Sequence, residues 1–472
     1  MTTGVMIKIA GVPIATSWDG TDLIGVDNLT IQWGRSELYE QPDPSILTLT
    51  LIDRAGTFVT DDTRVGQEIT VAIADPYRVV FRGALSAPTA ERREVWNSDI
   101  GDYETVWVTQ VTASDTLAAL AMSVFRGTAI DGWYEGAGGW TEVSPSRRIS
   151  DLLAAGASQL VTAVASVDTP VVSPSVAILL HGQTAAEAKT ALDLIRQCYQ
   201  VVPLSATSYD ADTDTVYPAS FLPQTVLALG RAGGKIVVTS TGGLVVPADS
   251  VGVESYRLTS TLADSIDAVQ LAYVWYGKDP ALSAGAQKRT IYTGGMIEAA
   301  TRRDTINPRT RRVLKIDSQV MIFDTGEFLP GQRDPNNRFP AYLLGQLTAI
   351  VNAINGQVRL PALTFDAHRL PLPADIEAVI YQTRPSTRPI YFAGSVFNGL
   401  RGSGPQFQII GGTLRYSKTT WSHTVTLAPA LAAASASPLT LGQLVTDKTA
   451  TLGDFHPAVH LADLGIVTKG LT

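Results

Sequence analysis

The clearest pattern along the chain is alternation of apolar and polar positions, a period of two, in short runs bounded by turn residues. Between residues 45 and 83 it reads SILTLTLIDRAGTFVTDDTRVGQEITVAIADPYRVVFRG. Leu47, Leu49 and Leu51 fall on one side of an extended chain, and Thr48 and Thr50 on the other. That is the pattern of a strand with one buried face. Asp53-Arg54-Ala55-Gly56 then reads as a turn, because Asp bonds its own backbone and Gly accepts positive φ. Ile69, Val71 and Ile73 alternate after Gly66, Asp75-Pro76 marks another turn, and Val79, Val80 and Phe81 make a third strand closed by Gly83. Strand, turn, strand, turn, strand predicts an antiparallel meander.

Further along, 106–111 alternates again, and Ser114-Asp115 is placed to cap a short helix over 116–124. Residues 127–146 are Gly-rich and loop-like. Two helices follow. One starts near Ser150 and runs to about Ala165, with Leu152, Leu153, Leu160, Val161 and Val164 as its stripe. The other opens with a capping box, Thr184 and Glu187, and places Ala188, Ala191, Leu192, Ile195 and Tyr199 at helical spacing. Residues 201–250 read as irregular, then as strands at 235–240 and 244–247. Strands are expected at 256–259, 268–275 and 313–323, with a turn or short helix at 261–266. A helix is expected over 340–355, carrying Leu343, Leu344, Leu347, Ile350, Val351 and Ile354 on one face and closed by Gly356. A strand at 375–381, a turn at Arg384-Pro385-Ser386, a strand at 389–394 and a long strand at 422–427 echo the earlier order of a strand at 68–74, a turn at Asp75-Pro76-Tyr77, a strand at 79–83 and a strand at 106–111.

These elements predict a mainly β chain with helical insertions, of the α+β class. An N-terminal β domain spans 1–125, an inserted mixed helical domain 126–252, and a second β domain 253–430 with an insertion at 278–372. Residues 431–472 form an Ala/Ser/Leu-rich extension with little periodicity.

Composition narrows the class. The 472 residues are 45% hydrophobic and 17% charged, enough to bury several cores and too apolar for a disordered chain. The net charge of −8 argues against a general nucleic-acid binder. No run of about 18 apolar residues predicts a membrane helix, and the opening MTTGVMIKIAGVPI does not read as a secretory leader. Cys198 is the only cysteine, so no internal disulfide or cysteine-rich zinc site forms. It reads as a small buried thiol beside the second helix.

Four groups of residues carry candidate chemistry. Ile322-Phe323-Asp324-Thr325-Gly326 resembles an aspartic-protease strand, but that reaction needs two carboxylates sharing a proton; the competing reading is a turn after a strand. Asp210, Asp212 and Asp214 resemble the start of a calcium loop, yet Thr215 and Phe221 stand where Gly and Glu are needed; the competing reading is a solvated loop. Asp454, His456 and His460 have metal-ligating side chains in a Pro-broken segment and read as surface residues, as do His181 and His368, whereas His423 reads as a strand-face residue. Arg302, Arg303, Arg309, Arg311, Arg312 and Lys315 form a basic cluster, read as solvated or paired with acidic neighbours in preference to a phosphate backbone. No residue is assigned as catalytic, cofactor-binding or metal-ligating, and no cofactor is expected.

The run 45–53 (SILTLTLID), with Thr57-Phe58, Arg64-Val65-Gly66-Gln67, Val79-Val80-Phe81-Arg82-Gly83, VTASDTLAAL over 111–120 and the closing WSHTVTLAP over 421–429, resembles the tail hub and minor tail proteins of long-tailed bacteriophages. The resemblance covers about residues 1–430. It implies two hub-type β-barrel domains with an inserted α/β domain, assembled as a homotrimer that matches a sixfold tail tube to a threefold tip and gates the lumen. It implies a structural, non-enzymatic virion component at the tail tip, made in the host bacterial cytoplasm. The partners it implies are a distal tail ring protein, a tape measure protein and other tip proteins, with DNA passing the lumen without sequence-specific binding. Two readings compete. One is a distal tail or receptor-binding protein that stacks host glycans on Trp133, Tyr134 and Trp140. The other is a tail-associated hydrolase or protease acting through Asp324.

Overall fold

The computed structural model describes residues 5–15, 24–36, 40–58, 64–74, 77–97, 100–127, 139–140, 143–167, 176–180, 189–202, 205–219, 227–232, 235–240, 244–247, 266–278, 289–300, 312–316, 320–324, 347–348, 350–351, 362–367, 379–385, 390–393, 406–417 and 421–429. The chain opens on a hairpin of β1 (Val5–Ile9) and β2 (Val12–Ala15). Ala10 and Gly11 turn between them with φ of 48° and 80°. Two successive positive φ values give the turn a twist that matches its flanking strands. Then come β3 (Ile24–Gly34), β4 (Ile46–Asp53), β5 (Glu68–Ala74), β6 (Tyr77–Leu85), β7 (Thr89–Asn97) and β8 (Asp102–Asp115). Leu47, Leu49 and Leu51 are fully buried, as are Ile69 and Ile73, so the alternation placed both core faces correctly. Helix α1 (Thr116–Met122) grows straight out of β8, where the expected cap Asp115 accepts from Leu117 N at 3.0 Å.

Helix α2 (Pro145–Ala154) starts earlier and ends sooner than expected. Ser144 caps it by accepting from Arg147 N, and Pro145 fits the first turn, where no backbone donor is needed. A 3-10 turn, Ala157–Gln159, follows Gly156 at φ 132°, and the next residues form β9 (Ala163–Val164) instead of more helix. After β10 (Val176–Leu180), helix α3 (Ala191–Tyr199) is capped by Thr190, whose hydroxyl accepts from Asp193 N at 3.1 Å. The capping box at Thr184 and Glu187 lies outside the described residues. Residues 206–219, read as irregular, form a tight hairpin of β11 (Ala206–Asp210) and β12 (Thr215–Ala219). β13 (Leu227–Ala232), β14 (Lys235–Ser240) and β15 (Leu244–Pro247) close this middle region, the last two where the sequence placed them.

The C-terminal part holds β16 (Ala268–Lys278), β17 (Arg289–Ala300), β18 (Val313–Ile316), β19 (Val320–Asp324), β20 (Ala362–Asp366), β21 (Ile390–Ala393), β22 (Gln406–Ser417) and β23 (Trp421–Pro429). The single strand expected over 313–323 is two, both parallel to β16. Leu347, Ile350 and Val351 are helical and buried, as the expected 340–355 helix requires. The expected strand at 256–259, the segment 261–265 and the extension after 430 lie outside the described residues.

Pairing departs from the expected meander. Among the described residues the large sheet runs β15-β21-β22-β3-β4-β8-β6-β5-β1-β2, with β7 beside β8, β23 beside β22 and β20 beside β23. Only β5 and β6 pair as the meander required; β8 lies between β4 and β6 and pairs with both. The late echo fails at its first strand as well. Val379, Ile380 and Tyr381 form a helical turn, and all three are buried. A strand would turn every second one away from the core. The fold is mainly β with a few short helices.

Two cores result. One joins β1, β3, β4, β5 and β6 to Leu363, Phe365, Val379, Phe407, Leu414 and Val425, so early and late strands bury apolar surface together. The other packs α1, α2 and α3 with Val216, Val269, Leu271, Leu347 and Ile350, and takes Ala72, Val79, Ile410 and Ala428 from the large sheet.

Candidate functional site

The N-terminal and C-terminal β regions meet where β22 pairs with β3, starting at Gly411 opposite Gly34 and ending at Ser417 opposite Asn28. β22 carries a bulge here, between Ile409 and Gly411 in its pairing with β23. Three glycines let the backbones close. Gly34 has φ of 78°, and a Cβ there would run into Gly411 Cα and Ile410 O. A Cβ on Gly411 would stand 2.6 Å from Arg35 O and 2.7 Å from Arg35 N; one on Gly412 would stand 2.7 Å from His423 Nε2. Arg35 N donates to Ile410 O at 3.1 Å, continuing the join past the strand end.

Beside these glycines sits a buried polar pair. Trp33 Nε1 donates to His423 Nε2 at 3.0 Å, and His423 Nδ1 lies 2.7 Å from Val379 O. Burial pushes the His423 imidazole down to about 4, while the Val379 carbonyl opposes that shift. His423 is thus a strand residue, as expected, on the fully buried face. Arg35 donates to Glu40 O at 2.8 Å; burial pulls its guanidinium down to about 9, opposed by the Glu40 charge. A cleft of about 260 Å³ lies over the join, walled by Trp33, Arg35, Glu40, Gln41, Asp43 and Thr413.

A second junction fastens the helical middle region to both β regions, and it contains the supposed calcium loop. The β11–β12 hairpin brings Asp210, Asp212 and Asp214 close in sequence, but their carboxylates serve separate partners. Asp210 pairs with Arg384, and Asp212 accepts from Val79 N at 3.0 Å. Asp214 accepts from Thr162 N at 2.9 Å, from Thr162 Oγ1 at 2.6 Å and from the Tyr209 hydroxyl at 2.7 Å. Asp214 takes positive φ, 49°, which Asp tolerates at a turn. Gln41 donates to Ser205 O and accepts from Thr207 N, Arg196 donates to Pro42 O, and Thr383 Oγ1 donates to Val80 O. These carboxylates are fasteners.

The remaining candidates separate. Asp324 ends β19, opposite Val176 and Gly277, while Thr325 and Gly326 lie outside the described residues. Cys198 is buried on α3, and burial pushes its thiol up to about 12, as the reading of an inert buried thiol requires. Trp140 is buried in the helical core with the Arg148 guanidinium 5.7 Å from its ring, so it offers no face to a sugar. Trp133, Tyr134, His181, His368, Asp454, His456 and His460 lie outside the described residues, as do Arg302, Arg303, Arg309 and Arg311. Of the basic cluster, Arg312 N donates to Asp267 Oδ2 at 2.9 Å and Lys315 is exposed on β18. Among the described residues no three metal-ligating side chains converge, and no helix is long and apolar enough to cross a membrane. Sequence reasoning missed Trp33, Arg35, Gln41 and Arg384. The Gly411-Gly412 pair inside an apolar run was the available signal, because glycine within a strand marks a close backbone approach.

No family model matches the chain, and no curated protein does. Solved structures do. The 43 kDa tail protein of prophage MuSo2 from Shewanella oneidensis aligns over 90% of this chain and 98% of its own, with 11% identity and a TM-score of 0.48. A tail protein from Neisseria meningitidis aligns over 90% and 96%, with 11% identity and a TM-score of 0.44. A prophage tail protein from Listeria monocytogenes aligns over 90% and 94%, with 9% identity and a TM-score of 0.42.

Proposed function

We propose that this chain is a structural virion protein, a trimeric hub or minor tail protein at the distal end of a phage tail tube. It matches the sixfold tube to a threefold tip and gates the lumen. One observation carries the reading: β3 and β22 zip the early and late β regions into a single sheet over one shared core. A symmetry adaptor needs each subunit to present two β regions as one stiff body, and this join supplies that stiffness. The sequence resemblance over 45–120 and 421–429 adds the class of assembly. In this reading the β regions of 1–125 and 253–430 are the two hub domains, and the helical insertion is strapped to both by the Asp210–Asp214 hairpin.

Ring closure needs edges. Among the described residues β2, β15, β7 and β20 each pair on one side only, and edge strands pair readily with a neighbour. The partners are two further copies, a distal tail ring protein, a tape measure protein and other tip proteins. The chain acts by packing and rearrangement, without catalysis. The glycan-binding alternative loses Trp140, which is buried. Antibody labelling of purified tails tests the proposal: label at one tail end is expected, and label along the tube or absence from virions contradicts it.

A further inference from the structure

His423 lies at the join with both ring nitrogens engaged in opposite senses. The indole Nε1 of Trp33 only donates and the carbonyl of Val379 only accepts. The neutral ring with its proton on Nδ1 is therefore the one form that suits both partners, 3.0 Å and 2.7 Å away. A second proton belongs on Nε2, where it would face the indole N–H. The ring has nowhere to retreat, since Gly412 packs against Nε2 and Leu414 and Phe365 are its register partners on either side.

The neighbouring charges do not help an imidazolium. On β20 and β22, Asp366 and Arg415 are in register with Ser422, one residue along, and so project from the opposite face. Just past β3, Arg35 is bonded to Glu40 O. The rings of Tyr381 and Tyr416 edge onto Trp421, and burial raises the Tyr416 phenol above its ordinary value. Among the described residues no carboxylate lies within ion-pair distance of His423.

We infer that Trp33, His423 and Val379 form an acid-sensitive clasp, in which protonation at Nε2 drives the indole away and frees β3 from the C-terminal strands. Burial holds the closed-state imidazole down at about 4, below its ordinary 6.5. A depressed histidine contributes stability that is complete above about 6.5 and is lost as pH falls towards 4. The opening equilibrium of the join therefore rises on the order of 100-fold between pH 7 and pH 4. Asp115 works the other way: burial pushes its carboxyl up to about 6, so its contribution is complete at low pH and fades as pH rises through about 6. Comparison of variants, not the wild-type profile alone, isolates the clasp.

The test is hydrogen exchange on the full chain from pH 7 to pH 4, normalised to the intrinsic exchange rate at each pH. Amides of β3 and of 411–417 are expected to lose protection on acidification. His423→Gln can donate to Val379 O and accept from Trp33 without titrating, and is expected to abolish that loss. Protection retained at pH 4 in the wild type, or the same loss in both proteins, overturns the clasp. If the Gln variant does not fold, a histidine NMR titration of the wild type decides: one of the five imidazoles stays neutral down to about pH 5. Five imidazoles titrating near their ordinary value overturn the proposal.

Discussion

The β3–β22 join and the Asp210–Asp214 junction both hold distant parts of the chain together, by opposite means. The join is a backbone ladder with one buried face, made by strands that glycine allows to touch. The junction is charged, partly exposed and made by side chains: Asp212 reaches the Val79 backbone, Asp210 pairs with Arg384, and Asp214 holds the hairpin to Thr162. Close-packed backbone has no slack, so one added methyl group displaces a whole strand. A set of side-chain bonds fails one bond at a time, each net about 1 kcal/mol. The join therefore defines the fold, and the junction sets how firmly the helical region rides on it.

Damage to the join has the largest expected effect. Gly411→Val places branched carbon where Arg35 N and O already stand within 2.7 Å; overpacking against backbone costs several kcal/mol. The urea midpoint should fall sharply, and a midpoint equal to wild type shows that the two backbones do not touch. Trp33→Phe is next, at about 2 kcal/mol, because it leaves buried His423 Nε2 without its donor. Asp214→Ala follows at about 1–2 kcal/mol, since it removes the acceptor for Thr162 and Tyr209 and puts a β-carbon residue without a turn-forming side chain at positive φ. Proteolysis should then cut near 211–214 while the large sheet stays protected. Uniform loss of protection erases the distinction between the two regions. The smallest effect is that of Arg384→Ala, below about 1 kcal/mol because the guanidinium is more than a third exposed. Its cost should shrink further in 1 M salt, while that of Trp33→Phe should not.

The same contrast explains what the sequence could reveal. Strand faces were legible because alternation is local: Leu47, Leu49 and Leu51 needed no partner to be assigned to a core. Strand order was not, because nothing between residues 45 and 83 signals that β8 will enter between β4 and β6. Helix starts were legible where the cap is a single residue, as at Asp115, and misplaced where Ser144-Pro145 was passed over for Ser150. β22 escaped notice because Gly411-Gly412 breaks its alternation at the point where it matters most. Asp210, Asp212 and Asp214 showed their spacing but not their partners, which come from residues 79, 162 and 384.

The central claim is that this chain serves as one of three in a tail hub. Native mass spectrometry of the purified full chain at neutral pH tests it most directly. The expected result is a species of three times the chain mass, or one that forms on addition of a ring-forming tail protein. A stable monomer or hexamer under both conditions contradicts it.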